Sequence, residues 1–150
     1  MQKTNDIQVS EMTLEDLENI ENTLEKEFDD FWNNEILKKE IESEICKVYV
    51  IKNVDVILGF ASMSIVLDEA EIRNIVIKKK CRGEKLSLFL MSILIDLAIK
   101  SNCKKINLEV NENNVIARRL YAKFGFDVVG SRKNYYNNGN AVLMTKDLNF

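Results

Sequence analysis

Three stretches of this 150-residue chain place reactive or ligand-binding side chains in an order that could do chemistry. The first is a strand, Asn74-Ile75-Val76-Ile77, followed by a basic turn from Lys78 to Lys85 and then by an apolar helix. A helix N-terminus presents unpaired backbone N–H groups and the positive end of a dipole, which suits a pyrophosphate. Arg82 and Lys85 would add charge to such a site. Taken by itself, the same segment also reads as a solvated basic turn. The second stretch is Leu108-Glu109-Val110. Strand alternation puts Glu109 on the face opposite Leu108, and in a sheet covered on both faces that buries or half-buries a carboxylate. Burial raises a carboxyl pKa toward the range of a general base near neutrality; on an edge strand Glu109 would simply sit in water. The third is Asn114-Val115-Ile116-Ala117-Arg118-Arg119-Leu120-Tyr121. Here Tyr121 is either an acid beside a site or a core tyrosine with a satisfied hydroxyl, and Asn114 is either a ligand-binding amide or a helix N-cap.

Composition narrows the chemistry. The chain has no histidine, which removes Ser-His and Cys-His nucleophile systems and most catalytic zinc sites. Acid–base work falls to Glu, Asp, Tyr, Lys or Cys. The net charge of −3 excludes a broadly basic nucleic-acid coat. Cys46, Cys81 and Cys103 are odd in number and widely spaced. They predict a reducing cytosol rather than a disulfide framework. Without a histidine to activate a thiol, a covalent route through Cys81 or Cys103 is weak. Met1 to Asp6 lacks the apolar stretch of a signal peptide. The longest apolar run, Leu88 to Ile95, is interrupted by Ser92 and ends at Asp96, far short of the roughly 20 residues of a membrane span. The expected location is cytoplasmic.

These residues need elements to hold them. There is no proline, repeat or low-complexity linker, so one domain over residues 1–150 is expected. Asp6 to Ser10 reads as a strand. Thr13 with Asp16 three residues on is an acidic capping box for a helix carrying Leu14, Leu17, Ile20, Leu24 and Phe28. Phe31 to Ile41 reads as a second helix with Trp32, Ile36 and Leu37 on one side. Cys46 to Ile51, Val56 to Leu67 and Ala70 to Ile77 are strands, with a tight turn at Asp68-Glu69. Leu86, Phe89, Leu90, Ile93, Leu94 and Leu97 form a helical stripe. Ile106, Leu108 and Val110 alternate as a strand. Ile116, Leu120 and Phe124 make another helical stripe, closed by Gly125. Phe126 to Val129 and Ala141 to Leu148 are a final strand pair joined by Asn137-Asn138-Gly139-Asn140. The order βααβββαβαββ implies an α/β (α+β) chain: a mixed, mostly antiparallel sheet with helices on both faces.

Together the three segments make the chain resemble the GNAT acetyltransferases, and within them the ribosomal-protein-alanine N-acetyltransferase (RimI) family. Val66-Leu67-Asp68-Glu69-Ala70-Glu71-Ile72-Arg73-Asn74-Ile75-Val76-Ile77 looks like the fourth strand of that family. Leu108-Glu109-Val110, Asn114, Ala117, Leu120-Tyr121 and Gly125-Phe126 follow at its spacing, and Arg132-Lys133-Asn134-Tyr135-Tyr136 with Ala141 and Met144 resembles its closing hairpin. The likeness is dense from about residue 56 onward.

The resemblance implies a co-substrate, acetyl-CoA, and no metal. Its pantetheine arm would pair with the backbone of Ile75, Val76 and Ile77 and lie near Asn114. Its pyrophosphate would sit on the turn Arg82-Gly83-Glu84-Lys85-Leu86-Ser87. Glu109 would be the general base and Tyr121 the general acid of a direct transfer to an amine. Lys85 and Ser87 stand where the family usually has glycine, so a Cβ at each would crowd the phosphates. Asn140 stands where such chains usually carry an acid, which bears on peptide choice. The implied acceptor is a protein N-terminus, an alanine-starting small-subunit ribosomal protein, with Asp68, Glu69 and Glu71 either attracting its basic tail or forming a solvated turn. A small-molecule amine acetyltransferase and a non-catalytic acyl-CoA-binding module are the alternatives. No nucleic acid or membrane partner is implied, and the expected state is a monomer or weak dimer.

Overall fold

The computed structural model describes residues 6–29, 32–83 and 85–148. Strand β1 (Ile7–Glu11) leads into helix α1 (Leu14–Ile20). Thr13 Oγ1 accepts from the Asp16 backbone and Asp16 Oδ2 accepts from the Thr13 backbone, closing the expected capping box. The apolar spacing that reads as one long helix instead breaks after Ile20 into a turn and a short π-helical segment, Leu24–Phe28. It still buries Leu24 and Phe28 beside Leu17 and Ile20. Helix α2 (Asn34–Glu42) begins later than the sequence suggests, because Asn33 Oδ1 caps the Ile36 N–H. Trp32 is buried ahead of the helix, Leu37 is buried within it, and Ile36 faces out. Phe31, where that helix was expected to begin, lies outside the described residues.

Strands β2 (Cys46–Asn53), β3 (Val56–Val66) and β4 (Glu69–Ile77) form an antiparallel meander, and a 3-10 turn, Lys79–Cys81, leads into α3 (Leu86–Lys100). Then come β5 (Lys105–Asn111), α4 (Val115–Lys123), β6 (Asp127–Tyr136) and β7 (Gly139–Asp147). The strands make one seven-stranded sheet in the order β1-β2-β3-β4-β5-β7-β6. Among the described residues only the β4–β5 pair is parallel. One face packs α3 and α4 onto Met63, Ile72, Ile106, Leu108 and Val110. The other packs α1, α2 and the π-helical segment onto Val48, Val50, Phe60 and Val76.

Two helical faces differ from their expected stripes. α3 buries Leu86, Leu90, Met91, Leu94 and Ala98, while Phe89 is 47% exposed. A helix apolar almost all round leaves the choice of inward face to packing. α4 turns Ala117, Tyr121 and Phe124 to the core, and Ile116 is 84% exposed. Gly125 closes α4 at φ +90°, a region open to glycine, with its N–H bonded to Ala122. Among the described residues, no helix is long and apolar enough to cross a membrane.

The site is created where one strand pair ends early. β4 and β5 pair only from Glu69 opposite Lys105 to Ile72 opposite Leu108. Beyond that point β4 stays with β3 as far as Ile77 opposite Gly59, and β5 stays with β7 as far as Asn111 opposite Ala141. A bulge at Arg73, between the pairs Ile72–Met63 and Asn74–Ser62, marks the start of the divergence. The sheet therefore forks, and from Arg73 to Ile77 β4 has a sheet neighbour on one side only.

Candidate active site

A cleft of about 1010 Å³ runs through the fork. Its lining combines β4 from Glu71 to Ile77, β5 from Leu108 to Asn111, the start of α3, the inner face of α4 and the β6 residues Arg132, Tyr135 and Tyr136. Because Leu108 and Val110 face α3 and α4, Glu109 faces the other side of the sheet. Its side chain is 23% exposed, and Oε1 lies 3.1 Å from Nη2 of Arg132. Glu109 is thus half-buried and paired, not an edge residue in open water. Arg132 in turn lies over the Tyr135 ring, 5.6 Å from its centroid, and Tyr135 packs edge-on against Tyr136.

Tyr121 enters from the α4 face. It packs against Phe126 at a ring separation of 5.9 Å, and burial pushes its phenol up to about 12, with Tyr136 adding to the effect. The Tyr136 phenol is also raised, first by burial, then by the charge of Glu109 and by Tyr135. Tyr136 thus interacts electrostatically with both Glu109 and Tyr121. The two sequence-chosen side chains line one cleft from opposite faces of the sheet, and the β6–β7 hairpin supplies a phenol that senses each of them.

Of the residues expected to hold the co-substrate, Ile75, Val76, Ile77, Arg82, Gly83, Leu86, Ser87 and Asn114 line the same cleft and Lys85 does not, and several have structural duties. Gly83 has φ +90° and Lys85 has φ +65°, both left-handed. Gly83 is needed for this conformation, not for room, since a Cβ there would meet nothing within 4 Å. Lys85 bears the cost of a left-handed L-residue, about 1–2 kcal/mol. It leaves the α3 N-terminus without a side-chain cap, so the first N–H groups beside Leu86 and Ser87 are open to an anion. The Arg82 guanidinium is spent inside the protein, donating to the Ile77 carbonyl at 3.1 Å and the Phe28 carbonyl at 2.8 Å. That occupies the Ile77 C=O. Asn114 is an N-cap, its Oδ1 accepting from Ala117 N at 3.1 Å, which leaves its Nδ2 for a ligand. Glu84 lies outside the described residues. An uncapped 15-residue helix, a one-sided strand and a cleft of this size fit a pyrophosphate followed by an extended arm.

Other expectations resolve differently. Asp68 and Glu69 are paired with Lys104 and Lys105, so of the three acids on that turn only Glu71 lines the cleft. Asn140 braces the hairpin, its Oδ1 accepting from Asn134 N at 2.8 Å. Cys46, Cys81 and Cys103 are buried and in no disulfide. Sequence reasoning overlooked Arg73, which reaches across from the bulge to Glu40 on α2: its Nε lies 2.6 Å from Oε1, the oxygen that also accepts from Ser62 Oγ at 2.9 Å. A carboxylate at position 40 in a helix with an otherwise polar outer face gave no sequence signal. Arg132 and Tyr136 were visible as hairpin residues, but strand periodicity could not show that they turn back over Glu109.

The acetyltransferase (GNAT) family matches residues 12–126. A Bacillus subtilis (strain 168) protein provisionally named a ribosomal protein bS18-alanine N-acetyltransferase is 32% identical over 144 residues, covering 94% of this chain and 95% of that one. The Haemophilus influenzae ribosomal protein bS18-alanine N-acetyltransferase is 36% identical over 118 residues, 75% of this chain and 80% of its own length. The crystal structure of the Escherichia coli ribosomal-protein-S18-alanine N-acetyltransferase superposes with a TM-score of 0.86 at 26% identity, covering 96% of this chain and 95% of that one. A forked sheet of this topology, matched by family and by relatives along nearly its whole length, makes the chain an N-acetyltransferase, a member of the acetyltransferase (GNAT) family.

Proposed function

We propose that the chain acetylates the α-amine of a protein N-terminus, with the alanine end of a small-subunit ribosomal protein as acceptor, as the names of its relatives state for them. The observation that carries the chemistry is the fork: a half-buried carboxylate and a buried phenol line a single cleft from opposite faces. Acetyl-CoA, the donor used by GNAT enzymes, supplies an activated thioester when bound. The backbone of Ile75, Val76 and Ile77, the turn from Arg82 to Ser87 including Glu84, and Asn114 would hold it.

A protein α-amine has a pKa near 7.7–8.0, so much of it is protonated at neutral pH and cannot attack. Glu109 removes that proton, directly or through one water, and Arg132 fixes the carboxylate meanwhile. Tyr121 keeps its own proton well past neutrality and would deliver it to the sulfur as the new C–N bond forms and the C–S bond breaks, taking back in exchange the second proton that the acetylated nitrogen loses. Unpaired N–H groups on the fork side of β4 steady the charge that develops on the carbonyl oxygen.

Glu109→Gln and Tyr121→Phe should each lower turnover by about tenfold or more, since acid–base contributions usually reach at least 10². Thiol release with acetyl-CoA and an alanine-starting peptide measures this, and full activity in both variants overturns the assignment. Mass spectrometry of the same peptide against a panel of polyamines and other small amines decides the acceptor class.

A further inference from the structure

Asn74 follows the bulge on β4 and faces the α1–α2 side of the sheet, opposite Ser62 in register and two residues before the buried Val76. Glu109 faces the same side from β5, one residue past the last β4–β5 pair. The two side chains thus flank the fork on one face, and both line the cleft. Around Asn74 the polar groups are engaged: Ser62 donates to Glu40, and Arg73 pairs with Glu40 and Glu71. The Asn74 Nδ2 is the exception. It is shielded from solvent and has no hydrogen-bond partner. A buried donor left unmade carries a desolvation cost, and each such group in a native structure calls for a partner or a role.

We infer that Asn74 anchors the acceptor, its Nδ2 donating to the carbonyl oxygen of the first acceptor residue. An ammonium on Glu109 carries its own carbonyl only two bonds beyond the amine nitrogen's carbon, on the face where Asn74 waits across the fork. The anchor separates a peptide N-terminus from a simple alkylamine, which offers the ammonium and nothing for Nδ2. It rests on the N-terminal reading given above.

The test pairs Asn74→Leu with two acceptors: an alanine-starting peptide, and the same peptide with an (E)-alkene in place of its first peptide bond. On the normal peptide the substitution should raise the acceptor KM roughly tenfold, with the KM for acetyl-CoA held within about twofold. On the alkene peptide it should change the acceptor KM by less than about twofold, because the carbonyl it would bind is gone. Equal losses on both peptides, or none on either, overturn the anchor while leaving the N-terminal reading intact. Failure of the unsubstituted enzyme to acetylate the normal peptide overturns both. Asn74→Ala repeats the measurement should the leucine variant not fold. Neither variant should lower the urea midpoint, since each removes an orphaned donor; a fall in both shows that the amide has a partner inside the protein and also overturns the proposal.

Discussion

Burial moves the Tyr121 phenol from an ordinary 10 to about 12, and the change has a sign that stability can read. In the unfolded chain the phenol loses its proton near pH 10, whereas the fold holds that proton until about 12. The stabilisation is complete below pH 10 and drains away as pH rises from 10 through 12. Tyr121→Phe has no proton to lose, so its stability should fall less steeply than that of the parent chain between pH 9 and 11.5. Tyr49 and Tyr136 are raised in the same direction, so part of the slope should remain. Urea midpoints across that range measure the difference, and identical slopes would mean that the phenol is not desolvated. The same shift keeps Tyr121 protonated at every pH where an α-amine is acetylated, and makes it a weaker acid than a free tyrosine. Alternation and the helical stripe left Glu109 and Tyr121 each with an ordinary structural reading, and they stood out because the three segments together resemble the GNAT family. Asn74 and Arg73 did not, because a bulge reverses the alternation that would have placed them.

At the scale of elements, the turn after β4 shows how a correct element can be given an incomplete role. Its positive charges read as a phosphate site, but three of them bind the protein. Lys78 Nζ lies 3.9 Å from Glu27, Lys79 donates to the Glu25 carbonyl, and Arg82 bridges the Ile77 and Phe28 carbonyls. They fasten the π-helical segment Leu24–Phe28 to the start of the turn. That contact is non-local, more than fifty residues apart in sequence, and no local pattern announces it. The succession of elements along the chain, the capping box and the Gly125 stop were legible because each is fixed by neighbours within a few residues. The inward faces of α3 and α4 were not, since several faces were apolar enough. The two roles for Arg82 are separable with Arg82→Lys. A lysine keeps the charge but cannot span two carbonyls with a rigid fork. If the strap is the role, Arg82→Lys should lose about 1–2 kcal/mol in urea denaturation, nearly as much as Arg82→Ala, since each bond has a charged donor. If Arg82 acts as a charge toward phosphate, the lysine variant should match the parent in stability.

Across the whole molecule, the proposed catalysis depends on where the sheet stops being continuous. The fork requires β4 to leave β5 at Ile72 while remaining held by β3 to Ile77, and that hold passes through Gly59. A Cβ on Gly59 would lie 2.6 Å from the Val76 carbonyl oxygen and 3.3 Å from the Ile77 Cα. These are backbone atoms in the middle of a seven-stranded sheet, so a side chain cannot relieve the clash by turning aside. The next hydrogen bond, from Lys78 N to the Leu58 carbonyl at 2.7 Å, sets where the turn toward α3 begins. Gly59→Ala therefore forces apart the strands that place Ile75 to Ile77 and the turn beyond them. It should destabilise the fold by about 1–3 kcal/mol, the range for overpacking a well-filled interior. In the fraction that folds, the KM for acetyl-CoA should rise several-fold, while the KM for the acceptor, whose proposed contacts lie nearer the bulge at Arg73, should change less. Thermal denaturation and steady-state kinetics at a temperature where both proteins are folded would show this pairing. An unchanged donor KM alongside the lost stability would mean that the fork holds its shape without the β3 clamp.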